Sequence, residues 1–237
     1  MAGDRKRGAS GAWFCFQDEA GTSLTGAVVR TWAPAGQTPV LTVVKGRQPK
    51  LFMAALACYR PGEPPRLIYR TRTGWYRDRD LIPLLDQAHQ ALGAPIVLIW
   101  DNLAGHHSRW MRRSIDGRDW LTVHYLPAYA PDLNPVEQVW AHLKRTALAN
   151  LAALNLDELT HAVRTGLRHI QHRPALLTAF LAHTGLEIHP TSTRSAKLGQ
   201  SRTKRADSFR HKSVPLKGLR CSRPWKVRTR NSTMPQS

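Results

Sequence analysis

Three acidic side chains stand where carboxylates could carry out phosphoryl transfer. Asp18 closes a short apolar and aromatic run, WFCFQ. Asp101 follows PIVLIW, an unbroken apolar run of the kind found in a strand buried on both faces. Glu137 falls in the first turn of an amphipathic stretch opened by Asn134-Pro135. Neighbouring strand ends in an α/β sheet converge on one rim, where ligands bind. A helix laid across that rim can aim an early side chain at the same point. Carboxylates gathered there repel one another and require cations. Hard oxygen donors with room left for water and phosphate suit Mg²⁺ or Mn²⁺. Two such ions roughly 3.5–4 Å apart activate a water or a DNA hydroxyl and stabilise the leaving oxygen, without a protein nucleophile.

Each acid also has a purely structural reading. Asp18-Glu19-Ala20-Gly21 reads as a turn, and Asp101-Asn102 could cap a strand. Asn134 to Glu137 is N-x-x-E with proline at the first helical position, a capping-box pattern. Asp132 competes with Glu137 for a metal from the same loop. Asn102 and His106 follow the second Asp in DNLAGHH. His106 could touch a DNA phosphate or steady a metal-bound water; alternatively it is an exposed loop histidine beside Gly105. Lys144 and Arg145 lie one to two turns beyond Glu137, where they could meet DNA phosphates or form a solvated face. Trp140, at helical spacing, reads as core, and Trp32 as packing or as the border of a DNA groove. His106, His107, His124 and His142 have no HExxH or cysteine-rich pattern, so no zinc site is expected.

The elements that must position these residues are legible in outline. Strands are expected at 12–17, 27–33, 39–44, 51–59, 95–100 and 121–125, with an edge strand at 66–70. Residues 27–33 and 39–44 read as a hairpin joined by Pro34-Ala35-Gly36-Gln37. Helices are expected at 80–92, stopped by Gly93, and at 108–114, 136–148, 156–172 and 174–183. Residues 127–135 form a proline-studded loop. The order predicts a mixed α/β sheet covered by helices.

Composition narrows the class. The chain has 237 residues, 35 Lys+Arg against 16 Asp+Glu, and a formal net charge of +19. That excess points to a polyanion, nucleic acid first. Hydrophobic residues make up 42%, enough for a real core. Three scattered cysteines, Cys15, Cys58 and Cys221, support neither a disulfide framework nor a zinc ribbon and favour a reducing compartment. No apolar run has the length of a membrane helix or signal peptide, so a cytoplasmic, nucleoid-associated protein without a membrane partner is expected. Thirteen of the 35 Lys and Arg lie after His189, against one acid, Asp207. Residues 190–237 therefore read as a disordered basic tail. It either binds phosphates or is sequence beyond the functional body. Residues 12–189 read as one catalytic domain and 1–11 as an N-terminal extension.

The strings FQDEAGTSL, RTWAPAGQTPVL, VLIWDNLAGHHS and LTVHYLPAYAPDLNPVEQVWAHLKR resemble bacterial DDE transposases of the insertion sequence six-thirty family, kin to the mariner transposases. The resemblance runs from about Trp13 to about Gly185 and is most specific from Tyr125 to Arg145. It puts the family's triad on Asp18, Asp101 and Glu137, with 35 residues between the last two. It implies a ribonuclease-H-like fold and two Mg²⁺ or Mn²⁺ ions. It also implies cleavage at transposon ends, strand transfer into double-stranded target DNA at a TA dinucleotide, and a homodimer. Only 17 residues precede Asp18, too few for the family's helix-turn-helix modules. The expectation is a truncated copy or one half of a split reading frame, partnered by an upstream helix-turn-helix polypeptide. The rival readings are a noncatalytic DNA-binding remnant and a ribonuclease-H-like nuclease acting on RNA–DNA hybrids.

Overall fold

The computed structural model describes residues 11–32, 40–43, 48–189 and 219–221. Three long strands come first, β1 (Trp13–Ser23), β2 (Lys50–Arg60) and β3 (Glu63–Thr73). Then follow α1 (Asp78–Leu92), β4 (Ile96–Trp100), α2 (Arg109–Asp116) and β5 (Leu121–Tyr125). The helices α3 (Pro135–Arg145), α4 (Leu156–Gln171) and α5 (Pro174–Thr184) close the body, with a small ribbon of β6 (Leu186–Ile188) and β7 (Leu219–Cys221). The main sheet has the order β3-β2-β1-β4-β5. β1, β2 and β3 pair antiparallel, while β1, β4 and β5 pair parallel. This is the expected mixed sheet flanked by helices.

Alternation along the strands builds two cores, one on each face. Phe14, Phe16, Met53, Ala55, Val97 and Ile99 face α3, α4 and α5. Trp13, Cys15, Leu56, Leu98 and Trp100 face α1 and α2. All five residues of β4 are buried, as a strand covered on both sides requires. Each large apolar side chain so buried contributes roughly 1.5–3 kcal/mol. Two polar contacts lock helices to the antiparallel half. Tyr59 Oη donates to Leu177 O on α5 at 3.0 Å, and Gln171 Nε2 on α4 donates to Leu67 O at 2.8 Å.

Two expectations fail locally. Asp18-Glu19-Ala20-Gly21 is not a turn: β1 runs on to Ser23, paired with Ala55, Ala54, Met53 and Phe52 of β2. The β2 backbone keeps offering hydrogen bonds beyond the end of β4, and those outweigh the weak strand propensity of the four residues. The hairpin expected at 27–33 and 39–44 is absent among the described residues 27–32 and 40–43. Its apolar residues have no sheet to join, and Val28, Trp32 and Val40 are exposed. The chain there leans on the α3–α4 connection. Asn150 N donates to Ala27 O at 2.9 Å, and Asn150 Oδ1 accepts from Val29 N at 2.9 Å. The tail expected to be disordered lies outside the described residues except for β7. No described helix is long and apolar enough to cross a membrane.

α4 approaches α3 closely at Gly166. A Cβ added there would stand 2.4 Å from Leu143 Cδ1 and 2.6 Å from Ala147 Cβ. Gly166→Val is expected to lose about 1–3 kcal/mol through overpacking. Urea unfolding checks this: the midpoint should fall while the slope stays constant.

Candidate active site

The parallel pairing of β1 with β4 ends at Phe16 and Ile99. Asp18 and Asp101 each lie two residues farther on, at one level on the rim. Period-two alternation puts Asp18 on the face of Phe14 and Phe16, the face that α3 covers. Trp140 of α3 confirms this placement, since its Nε1 donates to Asp18 Oδ2 at 2.9 Å.

Asn134 sets the start of α3. Its Oδ1 accepts from Val136 N at 3.1 Å, and its Nδ2 donates to Gln17 O at 3.0 Å. One buried side chain thus caps the helix and ties it to the residue before Asp18. Asn134 N donates to Pro131 O at 2.8 Å, so the Glu137 carboxylate is not spent on the second leg of a capping box. Asp18, Asp101 and Glu137 all line one cavity of about 350 Å³, together with Asn102 and the loop from Leu126 to Pro131.

The charges there are crowded. Burial and the nearby Glu137 charge push the Asp18 carboxyl up to about 8, although the Trp140 hydrogen bond opposes them. Asp101 is also raised, by burial and then by Glu137, with the Leu103 backbone N–H opposing. Glu19, on the opposite face of β1, is raised to about 7 by burial and by Asp101 and Asp78. Asp101 Oδ1 is buried without a hydrogen bond. His106 Nε2 comes within 3.1 Å of it but is poorly aligned.

Among the described residues, no three His, Cys, Asp or Glu side chains already stand together as a closed metal cage. Asp18 is turned to Trp140 and Asp101 toward His106. The donor chemistry nevertheless fits a hard divalent cation. The acidic residues of the cavity offer only oxygens, their mutual repulsion costs free energy that a cation would remove, and one oxygen is buried without a partner.

The remaining expected residues are spread around the cavity. Asn102 is exposed and lines it, and its Oδ1 stands 2.6 Å from His107 Nε2. His106 is not an exposed loop histidine. It is 5% exposed, its ring packs on Trp100 with centroids 3.9 Å apart, and burial lowers its pKa to about 4. A neutral, enclosed imidazole beside Asp101 is placed to orient that acid, and it is too enclosed for the phosphate contact expected of it. Asp132 sits in an exposed 3₁₀ turn and does not line the acidic cavity. Lys144 lines a neighbouring cavity instead, and exposed Arg145 donates to Ala141 O of its own helix. Sequence reasoning placed Trp140 in the core and missed its polar edge. A tryptophan three residues after an acid on a rim helix was the available signal. Tyr129 was also missed. It lines the acidic cavity fully exposed, with a left-handed φ of 59°.

The fold is a mixed sheet flanked by helices with an acidic rim, and the sequence comparison gives the family. The chain belongs to the DDE superfamily endonucleases, whose sequence model matches residues 14–160. Among solved structures, the chain is similar to a Mos1 transposase paired-end complex with left transposon end. The identity is 17% and the TM-score 0.50, covering 73% of this chain and 55% of that one. A pre-cleavage Mos1 transpososome aligns at 16% identity and TM-score 0.50, over 76% and 58% of the two chains. A mariner Mos1 paired-end complex with Mg aligns at 18% identity and TM-score 0.48, over 73% and 55%. The likeness is one of fold, and the chain spans little more than half the length of these relatives. No curated protein matches the sequence.

The Asp18 shift has a pH signature in metal-free protein. An ordinary Asp titrates near 3.8, whereas folded Asp18 titrates near 8. The folded state holds the proton more tightly, so its contribution is full below the lower value and is lost as pH rises through the upper. Asp18→Asn keeps an oxygen for Trp140 Nε1. In chelator it should melt higher than the parent at pH 8, with the gap closing toward pH 4. Thermal melts across that range test this; a pH-independent gap would contradict the assignment.

Proposed function

We propose that this chain is a DDE transposase catalytic domain that cleaves phosphodiester bonds at transposon ends and joins them to target DNA. The observation that carries the reading is that Asp18 within β1, Asp101 just after β4 and Glu137 in the first turn of α3 all line one cavity. Asp18, Asp101 and Glu137 would hold two Mg²⁺ or Mn²⁺ ions, which supply Lewis-acid activation of a water or 3′-hydroxyl and stabilise the leaving oxygen. The chain's own residues set the frame. Trp140 fixes the Asp18 carboxylate, neutral His106 backs Asp101, and Asn134 holds Glu137's helix against β1. Residues 12–189 form the catalytic unit in this reading, between the 1–11 extension and the 190–237 tail. The finer assignments rest on the quoted sequence strings: the insertion sequence six-thirty branch, a TA target and a homodimer.

The test uses Mn²⁺, a supercoiled plasmid and a short duplex ending in a 3′-hydroxyl. The parent protein should nick the plasmid and join the duplex to it. Asp101→Asn should bind DNA with the same salt sensitivity and do neither. Equal joining by this variant would overturn the site. Binding without turnover by the parent would favour a DNA-binding remnant. Cleavage confined to RNA–DNA hybrids would favour a ribonuclease.

Trp140→Phe keeps the packing and deletes the N–H to Asp18. It should raise the Mn²⁺ concentration for half-maximal nicking by about 10–100-fold. The melting temperature in chelator, measured alongside, separates this effect from loss of fold.

A further inference from the structure

A second groove lies beside the acidic cavity. It has a volume of about 450 Å³, and its walls include Thr22, Ser23, Thr25, Lys50, Trp75 and Lys144. No acidic residue lines it. Among the described residues neither lysine is engaged in an ion pair with a carboxylate. Trp75 is 73% exposed yet held in place: its ring packs on Phe52 with centroids 4.5 Å apart, the planes tilted by 40°. Phe52 in turn lies against Gly21, where an added Cβ would stand 3.1 Å from the Phe52 ring. Backbone, phenyl and indole thus form a supported series whose outermost face is open. Trp75 is also a wall of a third cavity, of about 540 Å³, which reaches Asp18 and Glu19. The indole therefore stands between the acids and the lysines.

We infer that this groove receives an unpaired DNA strand leaving the reactive centre, with a base on Trp75 and phosphates on Lys50 and Lys144. Stacked bases in a duplex offer only their edges to a protein, so an open indole face suits a base that has left its stack. The hydroxyls of Thr22 and Thr25, the latter accepting from Gln48 Nε2 and still able to donate, add uncharged donors for a backbone of phosphates. The inference rests on the proposed nucleic-acid function and adds to it a strand state and a path.

Binding measured in EDTA, with the full chain, tests the groove without catalysis. The probes are a duplex with a single-stranded overhang carrying 2-aminopurine and a blunt duplex carrying the same base internally. The parent should bind the overhang more tightly and quench its fluorescence. Trp75→Ala should lose about tenfold or more of the overhang affinity, and most of the quench, with blunt-duplex binding unchanged. Trp75→Phe should retain most of both. Lys50→Ala and Lys144→Ala should each lower the salt slope for the overhang by about 0.7. Equal affinity of the parent for both probes, or an unchanged quench in Trp75→Ala, would overturn the inference. Plasmid nicking and overhang binding can fail independently, so the two readings are separable.

Discussion

The four-residue parallel pairing between β1 and β4 governs the geometry of everything built on the rim. It sets Asp18 and Asp101 level, because each lies the same distance beyond its last ladder pair. A one-residue slip would turn one of them to the opposite face of the sheet. The slip is prevented by the two cores, since Phe16 and Ile99 face α3–α5 while Cys15 and Leu98 face α1 and α2. The hydrophobic pattern that folds the sheet also aligns the acids, so chemistry and stability share one register.

The cost of that arrangement falls on the carboxylates. Asp18 lies within β1 and Asp101 just beyond β4, both next to buried apolar residues, with Glu137 adding its charge. Three uncharged neighbours frame the acids: the Trp140 indole N–H donates to Asp18, the His106 imidazole lies beside Asp101 without a hydrogen bond to it, and the Asn134 amide ties the helix of Glu137 to Gln17. None carries a formal charge, so none offsets the charge of an ionised carboxylate there. A lysine or arginine partner would have relieved the repulsion and, with it, much of the attraction for a divalent cation. Lys50 and Lys144 line a separate groove, where phosphates and not carboxylates would be their partners.

Elements whose signals are local were legible in the sequence. The apolar run of β4, the Gly93 stop after α1, the short helix expected at 108–114 and the Asn134-Pro135 start of α3 all appear, the second helix at 109–116 with Ser108 as its cap. What escaped reading depends on partners distant in the chain. Asp18 to Gly21 has turn-like composition, and only the presence of β2 alongside makes it strand. Residues 27–32 have strand composition but lack a neighbour to pair with. Asp101 and Glu137 could be named from their places after a strand and at a helix start, whereas Asp18, read as a strand end, lies inside β1. The anchors could not, because Trp140 lies 122 positions from Asp18 and Asn134 lies 117 from Gln17. The burial of His106 escaped for a similar reason: its loop looks polar, and only its packing on Trp100 encloses it.

The three acids differ in how rigidly they are held. Asp18 sits within a strand paired on its β2 side and tied by Trp140, and Asp101 follows a strand with five buried residues. Glu137 rides on a helix start and is exposed. Its position therefore follows the docking of α3 as a whole, through Asn134 at one end and the buried Val136, Val139, Trp140 and Leu143 along the helix. Trp140 belongs to both sets of contacts, since its ring packs in the core while its N–H holds Asp18. A shift of α3 would move Glu137 and release Asp18 together. The docking of one helix thus completes the set of carboxylates, and the packing that stabilises the domain is also what brings the third acid to the other two.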